Sequence, residues 1–127
     1  AYLKILRENY LVRGGYLWIE VPNAKDALLT LYKCEQFTNF YYQSMHRCYF
    51  SPETLSAVVE AAGFKTVELI PVQRYDLSNH MYWLQYGKPG GTGKYHQIFS
   101  KSLDAEYAEC LKEHWLCDTI FGIFKSY

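Results

Sequence analysis

Apolar residues along this chain fall into helix-period and strand-like runs, and glycine and proline punctuate them. Tyr2, Leu3, Ile5, Leu6 and Tyr10 recur at helical spacing. Gly14 and Gly15 close that pattern, because glycine takes the left-handed conformation of a helix stop at little steric cost. Tyr16–Val21 is then a short aromatic and β-branched run, too apolar on both faces for an open antiparallel strand, and it predicts a buried parallel one. Pro22 cannot donate to a ladder and ends the strand, while Asn23 is suited to cap the next helix.

Ala24, Ala27, Leu28 and Leu31 make the apolar face of that helix. Lys33–Phe50 carries Phe37, Phe40, Tyr41, Tyr42, Tyr49 and Phe50 without a clear period and reads as a loop-rich crossing segment. Ser51-Pro52-Glu53 marks a helix start, with Ser as cap, Pro at the first position and Glu near the positive end of the dipole. Leu55, Val58, Val59 and Ala62 supply its buried face, Gly63 stops it, Phe64 packs back, and Lys65–Val72 is the second strand. Helix, Gly-Gly, buried strand, Pro-Asn, helix is one unit of a parallel α/β sheet. The alternation then breaks. Gln73–Gly87 holds Tyr75, Asn79, His80, Tyr82, Trp83 and Tyr86, and Lys88–Lys94 is a turn or mobile loop. Leu103, Tyr107, Ala108 and Leu111 mark a last helix, with Asp104 and Glu106 suited to its first turn, and Asp118–Phe124 reads as a closing strand.

At 127 residues the chain is one domain at most, with room for a real core. Half its residues are hydrophobic and its formal charge is zero, which describes a globular protein without the field for broad binding to nucleic acid or acidic membranes. No apolar run approaches the roughly 20 residues of a membrane span, and no signal peptide opens the chain, so a cytoplasmic setting is expected. Cys34, Cys48, Cys110 and Cys117 include no Cys-x-x-Cys pair, so no metal is expected and the thiols read as free. Thirteen tyrosines and three tryptophans exceed what a plain core needs and point to a groove or interface. The Lys88–Lys94 segment imitates a phosphate-binding loop and fails the test: Lys88 stands where the first Gly belongs, Tyr95 where Ser or Thr must hold magnesium, and no strand leads directly into it.

The run Gly14–Asn23, then His46, then Phe50-Ser51-Pro52-Glu53-Thr54-Leu55 and Ala61-Ala62-Gly63-Phe64, resembles the C-terminal half of class I S-adenosylmethionine-dependent methyltransferases, with Arg13 in place of a proline common before the glycines. Gln73–His80, Tyr82-Trp83-Leu84 and Gly87-Lys88-Pro89-Gly90-Gly91 are similar to a bacterial subset associated with surface-polysaccharide and related small-molecule biosynthesis. The resemblance implies an α/β fold: a partial Rossmann-like methyltransferase sheet of strands five, six and antiparallel seven, with a helical, aromatic-rich insertion before the last strand. It makes residues 1–127 the C-terminal part of such a domain and 73–116 its substrate-side insertion, the N-terminal cofactor-binding half being absent. Tyr16–Val21 and Lys65–Val72 are then expected as parallel neighbours, with Asp118–Phe124 antiparallel beside them. The missing strands would leave an open edge at Tyr16–Val21 and an uncovered apolar face, so the isolated chain is expected to self-associate, across that edge or by exchanging the insertion.

The implied activity is transfer of a methyl group from S-adenosylmethionine to an oxygen or nitrogen of a saccharide or other small molecule. His46 and His80 are the candidate bases, since imidazole titrates near neutrality and could take the acceptor's proton. Arg74 could pair a phosphate or carboxylate, Asn79 stands beside His80, and Tyr75, Tyr82 and Trp83 could stack on a sugar face. Each has a plainer role: loop-shaping or half-buried histidines, a surface ion pair, core aromatics. Two other classes remain open at this point, a non-enzymatic binding or interaction domain and a nicotinamide-dependent enzyme on a similar sheet; an antiparallel last strand would argue against the second.

Overall fold

Ser51 opens the helix whose sequence signals are most complete. Its hydroxyl accepts the Thr54 amide at 3.2 Å while the Thr54 hydroxyl accepts the Ser51 amide at 2.8 Å, a capping box with Pro52 at the first helical position. The computed structural model describes residues 1–42 and 48–127, so His46 lies outside the described residues. In chain order the elements are α1 (Tyr2–Asn9), β1 (Tyr16–Pro22), α2 (Ala27–Thr30), α3 (Glu35–Tyr42), α4 (Pro52–Ala61), β2 (Phe64–Val72), α5 (Leu77–Tyr86), α6 (Lys101–Glu113) and β3 (Thr119–Ser126). The protein is of mixed α/β class.

The three strands form one sheet in the order β1-β3-β2, and β3 pairs antiparallel with both neighbours. β1 and β2 therefore run parallel to each other, yet they are not neighbours as expected, because β3 lies between them. Proline supplies the physical reason. Pro22 in β1 and Pro71 in β2 each remove a ladder donor and confine their strands to the edges, whereas β3 has no proline. β3 is also the most buried strand, with Ile120, Gly122 and Phe124 all facing the core. Gly122 is required there: a Cβ would stand 2.5 Å from the Phe124 ring.

α4 covers that inner face. Leu55, Val59 and Ala62 pack with Phe64, Ile120 and Phe124, and Leu17, Ile19, Val21 and Leu69 extend the layer. Gly63 ends α4 at φ +95°, which reverses the chain and puts Phe64 into the core as the sequence predicts. Val58, assigned to the buried face, stands exposed, because α4 turns only the Leu55–Val59–Ala62 stripe to the sheet.

Other expectations are corrected. Tyr16–Val21 is not buried on both faces: Tyr16, Trp18 and Glu20 point away from α4, and Trp18 is 68% exposed. Asn23 does not cap a helix. Its side-chain amide nitrogen donates to the Trp115 and Cys117 carbonyls at 2.9 and 2.8 Å, tying the end of β1 to the approach to β3. Its Oδ1 accepts the Lys25 amide, a local turn that delays the helix until Asp26 caps it. The second helix is consequently the short α2, with Ala27 and Leu28 buried but Leu31 exposed. Within Lys33–Phe50, read as loop-rich, Glu35–Tyr42 forms α3: Phe37, Phe40 and Tyr41 stand at i, i+3 and i+4, one helical face.

Candidate functional site

β1 ends at Pro22, Arg74 and Tyr75 follow β2, and Asp118 and Thr119 lead into β3. A cavity of about 370 Å³ opens at this point, at the carboxyl ends of the two mutually parallel strands. The volume falls in the range of about 300–1,000 Å³ usual for small-molecule sites. α3 and α5 build its apolar wall. Phe37 meets the Trp83 ring edge-on with centroids 5.1 Å apart, and Phe40 lies 5.2 Å from the same ring.

The loop after α5 closes one side through Pro89, Gly90 and Thr92. It is strapped down: the Gly93 amide donates to Asp76 Oδ2 at 2.9 Å and the Tyr95 amide to the Ser78 hydroxyl at 3.1 Å. Gly91 lies against the Tyr82 side chain, leaving no room for a Cβ. Lys88–Lys94 is thus a turn seated on α5.

Of the residues singled out from sequence, Arg74, Tyr75, Asn79, His80 and Trp83 line the cavity together. Their spacing explains this in part, since Asn79, His80 and Trp83 occupy one side of α5 and are all buried. Tyr82 does not join them and packs on Tyr86 at 4.8 Å between ring centroids. Arg74 lines the cavity, but its guanidinium forms an ion pair with Glu20.

His80 is 1% exposed. Its Nδ1 lies 2.6 Å from the Tyr107 hydroxyl, which lies 2.7 Å from the Tyr32 hydroxyl, so α5, α6 and the segment after α2 meet in one polar chain. Burial pulls the imidazole down to about 4, against the opposing charge of Asp76, and His80 is neutral at neutral pH. Burial also pushes the Tyr107 hydroxyl up, helped by the Tyr32 hydrogen bond, so it stays protonated.

Two carboxyl groups in the cavity escaped the sequence reading. Asp26, the cap of α2, is 4% exposed, and its Oδ1 accepts the Leu28 amide at 2.8 Å. Burial drives its pKa up to about 7, with the Leu28 amide opposing and Asp118 adding to the rise. Asp118 accepts the Arg74 and Tyr75 amides at 2.9 and 3.0 Å and the Thr119 hydroxyl at 2.8 Å. Burial still raises its pKa, those bonds pulling the other way. An Asp followed by a short apolar run was a readable cap signal at Asp26; nothing local marked it as a site residue.

Chemically the cavity offers an aromatic wall, a neutral imidazole and a carboxyl group titrating near neutrality. Such a carboxyl is well matched to accept a proton in general base catalysis. Among the described residues no three His, Cys, Asp or Glu side chains converge as a metal would require, and no helix is long and apolar enough to cross a membrane. No protein-family model matches the chain, and no curated protein matches it.

Proposed function

We propose that this chain is the acceptor-binding part of an S-adenosylmethionine-dependent methyltransferase acting on an oxygen or nitrogen of a saccharide or other small molecule. One observation carries the reading. The cavity at the carboxyl ends of β1 and β2 is walled by Arg74, Tyr75, Asn79, His80 and Trp83, which belong to the segment the methyltransferase resemblance assigns to the substrate. The antiparallel last strand supports the same reading and disfavours a nicotinamide enzyme.

The residues of this chain do not fit the methyl donor. The one glycine-rich loop is strapped to α5, with the Gly93 amide already committed to Asp76, and it follows a helix instead of a strand. In this reading this chain supplies a partial Rossmann-like sheet, and the donor is held by residues outside these 127, which would also cover the open face at Trp18. The part left to this chain is to orient the acceptor and receive its proton. The apolar wall excludes water and holds a flat ring face, and Asp26 or His80 takes the proton as the acceptor reacts.

Calorimetry with S-adenosylmethionine tests the reading, on the 127-residue chain and on the complete polypeptide that its gene encodes. The expected result is no binding heat with the chain alone and clear binding by the complete polypeptide. Binding to the chain alone places the donor site within these residues. No binding by either leaves a non-enzymatic ligand-binding domain as the better description.

A further inference from the structure

Asp26 and Asn79 share a property that the fold does not require. Both line the cavity and are more than nine-tenths buried, at 4% and 5% exposure. Yet among the described residues the Asp26 carboxyl receives only the Leu28 amide, and the Asn79 side-chain amide is left to the cavity while its backbone amide bonds Asp76. Nearly buried polar groups left without partners are costly to hold, so a carboxyl and an amide in this state are arranged for something that enters.

Charge narrows what enters. Asp26 and Asp118 both line the cavity, and the one cation among its described lining residues, Arg74, is paired with Glu20. His80 contributes no charge at neutral pH. An anionic ligand would face two carboxyl groups without a free counterion. A cation would gain an ion pair with Asp26 and lie beside the rings of Phe40 and Trp83, which attract cations through their faces.

We infer that the cavity binds a hydroxylated ring carrying an ammonium group, an amino sugar or a close analogue, with the ammonium at Asp26 and a ring hydroxyl at Asn79. Calling this ligand the methyl acceptor rests on the transferase reading; its binding does not.

Three probes of similar size separate the possibilities, each tested on the 127-residue chain by saturation-transfer NMR titration slightly above neutral pH: methyl 6-amino-6-deoxyglucopyranoside, methyl glucopyranoside and methyl glucuronide. The ammonium probe is expected to bind about tenfold more tightly than the neutral one, and the carboxylate probe most weakly. Asp26→Asn keeps a good helix cap and should erase the preference for the ammonium. Asn79→Ala removes the side-chain amide and should weaken the ammonium and neutral probes alike, leaving their ratio intact. The inference is overturned if the carboxylate probe binds best, if the preference survives Asp26→Asn, if Asn79→Ala has no effect, or if no probe binds at millimolar concentration. No donor is present in the titration. Its failure therefore leaves methyl transfer to another acceptor standing, and failure of the donor calorimetry leaves the probe preference standing.

Discussion

The Tyr107 hydroxyl lies 2.6 Å from His80 Nδ1 and anchors the ring. That single bond occupies Nδ1 and leaves Nε2 as the nitrogen available to a ligand. Tyr32 completes the chain at 2.7 Å from the Tyr107 hydroxyl.

Removing Tyr107's hydroxyl strands a buried imidazole nitrogen, whereas removing Tyr32's leaves the His80 bond in place. Tyr107→Phe is therefore expected to lower stability by about 1–3 kcal/mol, and Tyr32→Phe by about 0.5–1.5 kcal/mol. Urea denaturation of both variants checks the order. Equal losses would mean that Tyr107 does not support His80.

At the start of α4 the reciprocal Ser51–Thr54 bonds satisfy amides that the helix cannot. Ser51→Ala should cost about 1 kcal/mol in the same measurement, and Ser51→Gly only a few tenths.

α4 could be read from its residues because everything that determines it is local: a cap, a proline, an apolar stripe and a glycine within thirteen positions from Ser51 to Gly63. Asn23 could not be read that way. It is as good a cap as Asp26, and what decides between them is a pair of carbonyls at Trp115 and Cys117, more than ninety residues along the chain. The order of the strands is equally non-local, although Pro22 and Pro71 carried a usable clue that both belong at edges. α3 was hidden by its own aromatics, which share a helical face but favour strands as isolated residues. For the site, the Asn79–His80–Trp83 cluster was visible as chemistry on one short segment. Asp26, Tyr41 and Asp118 become site residues only when α2, α3 and β3 converge on the cavity.

Gly122 sits in the middle of β3 with the Phe124 ring folded across it. Gly122→Ala places a methyl group 2.5 Å from that ring and 3.4 Å from Leu69. The expected loss is about 1–3 kcal/mol from overpacking, read as a lower urea midpoint with an unchanged slope.

Tyr16 and Trp18 stand on the sheet face opposite α4, next to Ile123, with Trp18 edge-on to Phe121 at 6.0 Å. β1 is an edge strand, so this patch continues to an unpaired backbone edge among the described residues. The isolated chain is expected to associate with a second copy there. Sedimentation velocity at micromolar concentration should show dimers that Trp18→Asp converts to monomers; a wild-type chain that sediments as a monomer removes the expectation.

Asp26 and His80 line the same cavity with proton affinities displaced in opposite directions, and the stability of the protein should record both. Burial raises Asp26 from 3.8 to about 7, so in the folded state it keeps a proton that the unfolded chain releases. Its contribution is full below about pH 4 and is lost as the pH rises to about 7. Burial lowers His80 from 6.5 to about 4, so the unfolded chain binds a proton that the folded state refuses. That contribution is full above pH 6.5 and is lost as the pH falls to about 4. Between those limits the two slopes, each up to about 1.4 kcal/mol per pH unit, oppose one another. Asp118 and Tyr41 face Asp26, Asp76 faces His80, and Tyr107 interacts with both. Asp118, also raised by burial, adds a falling slope of its own, so the comparison between variants carries the result. Urea midpoints measured from pH 4 to pH 7 should rise more steeply with pH in Asp26→Asn than in the wild type, and fall more steeply in His80→Gln. Profiles that run parallel in all three proteins would show that neither group carries a displaced proton affinity in the folded state.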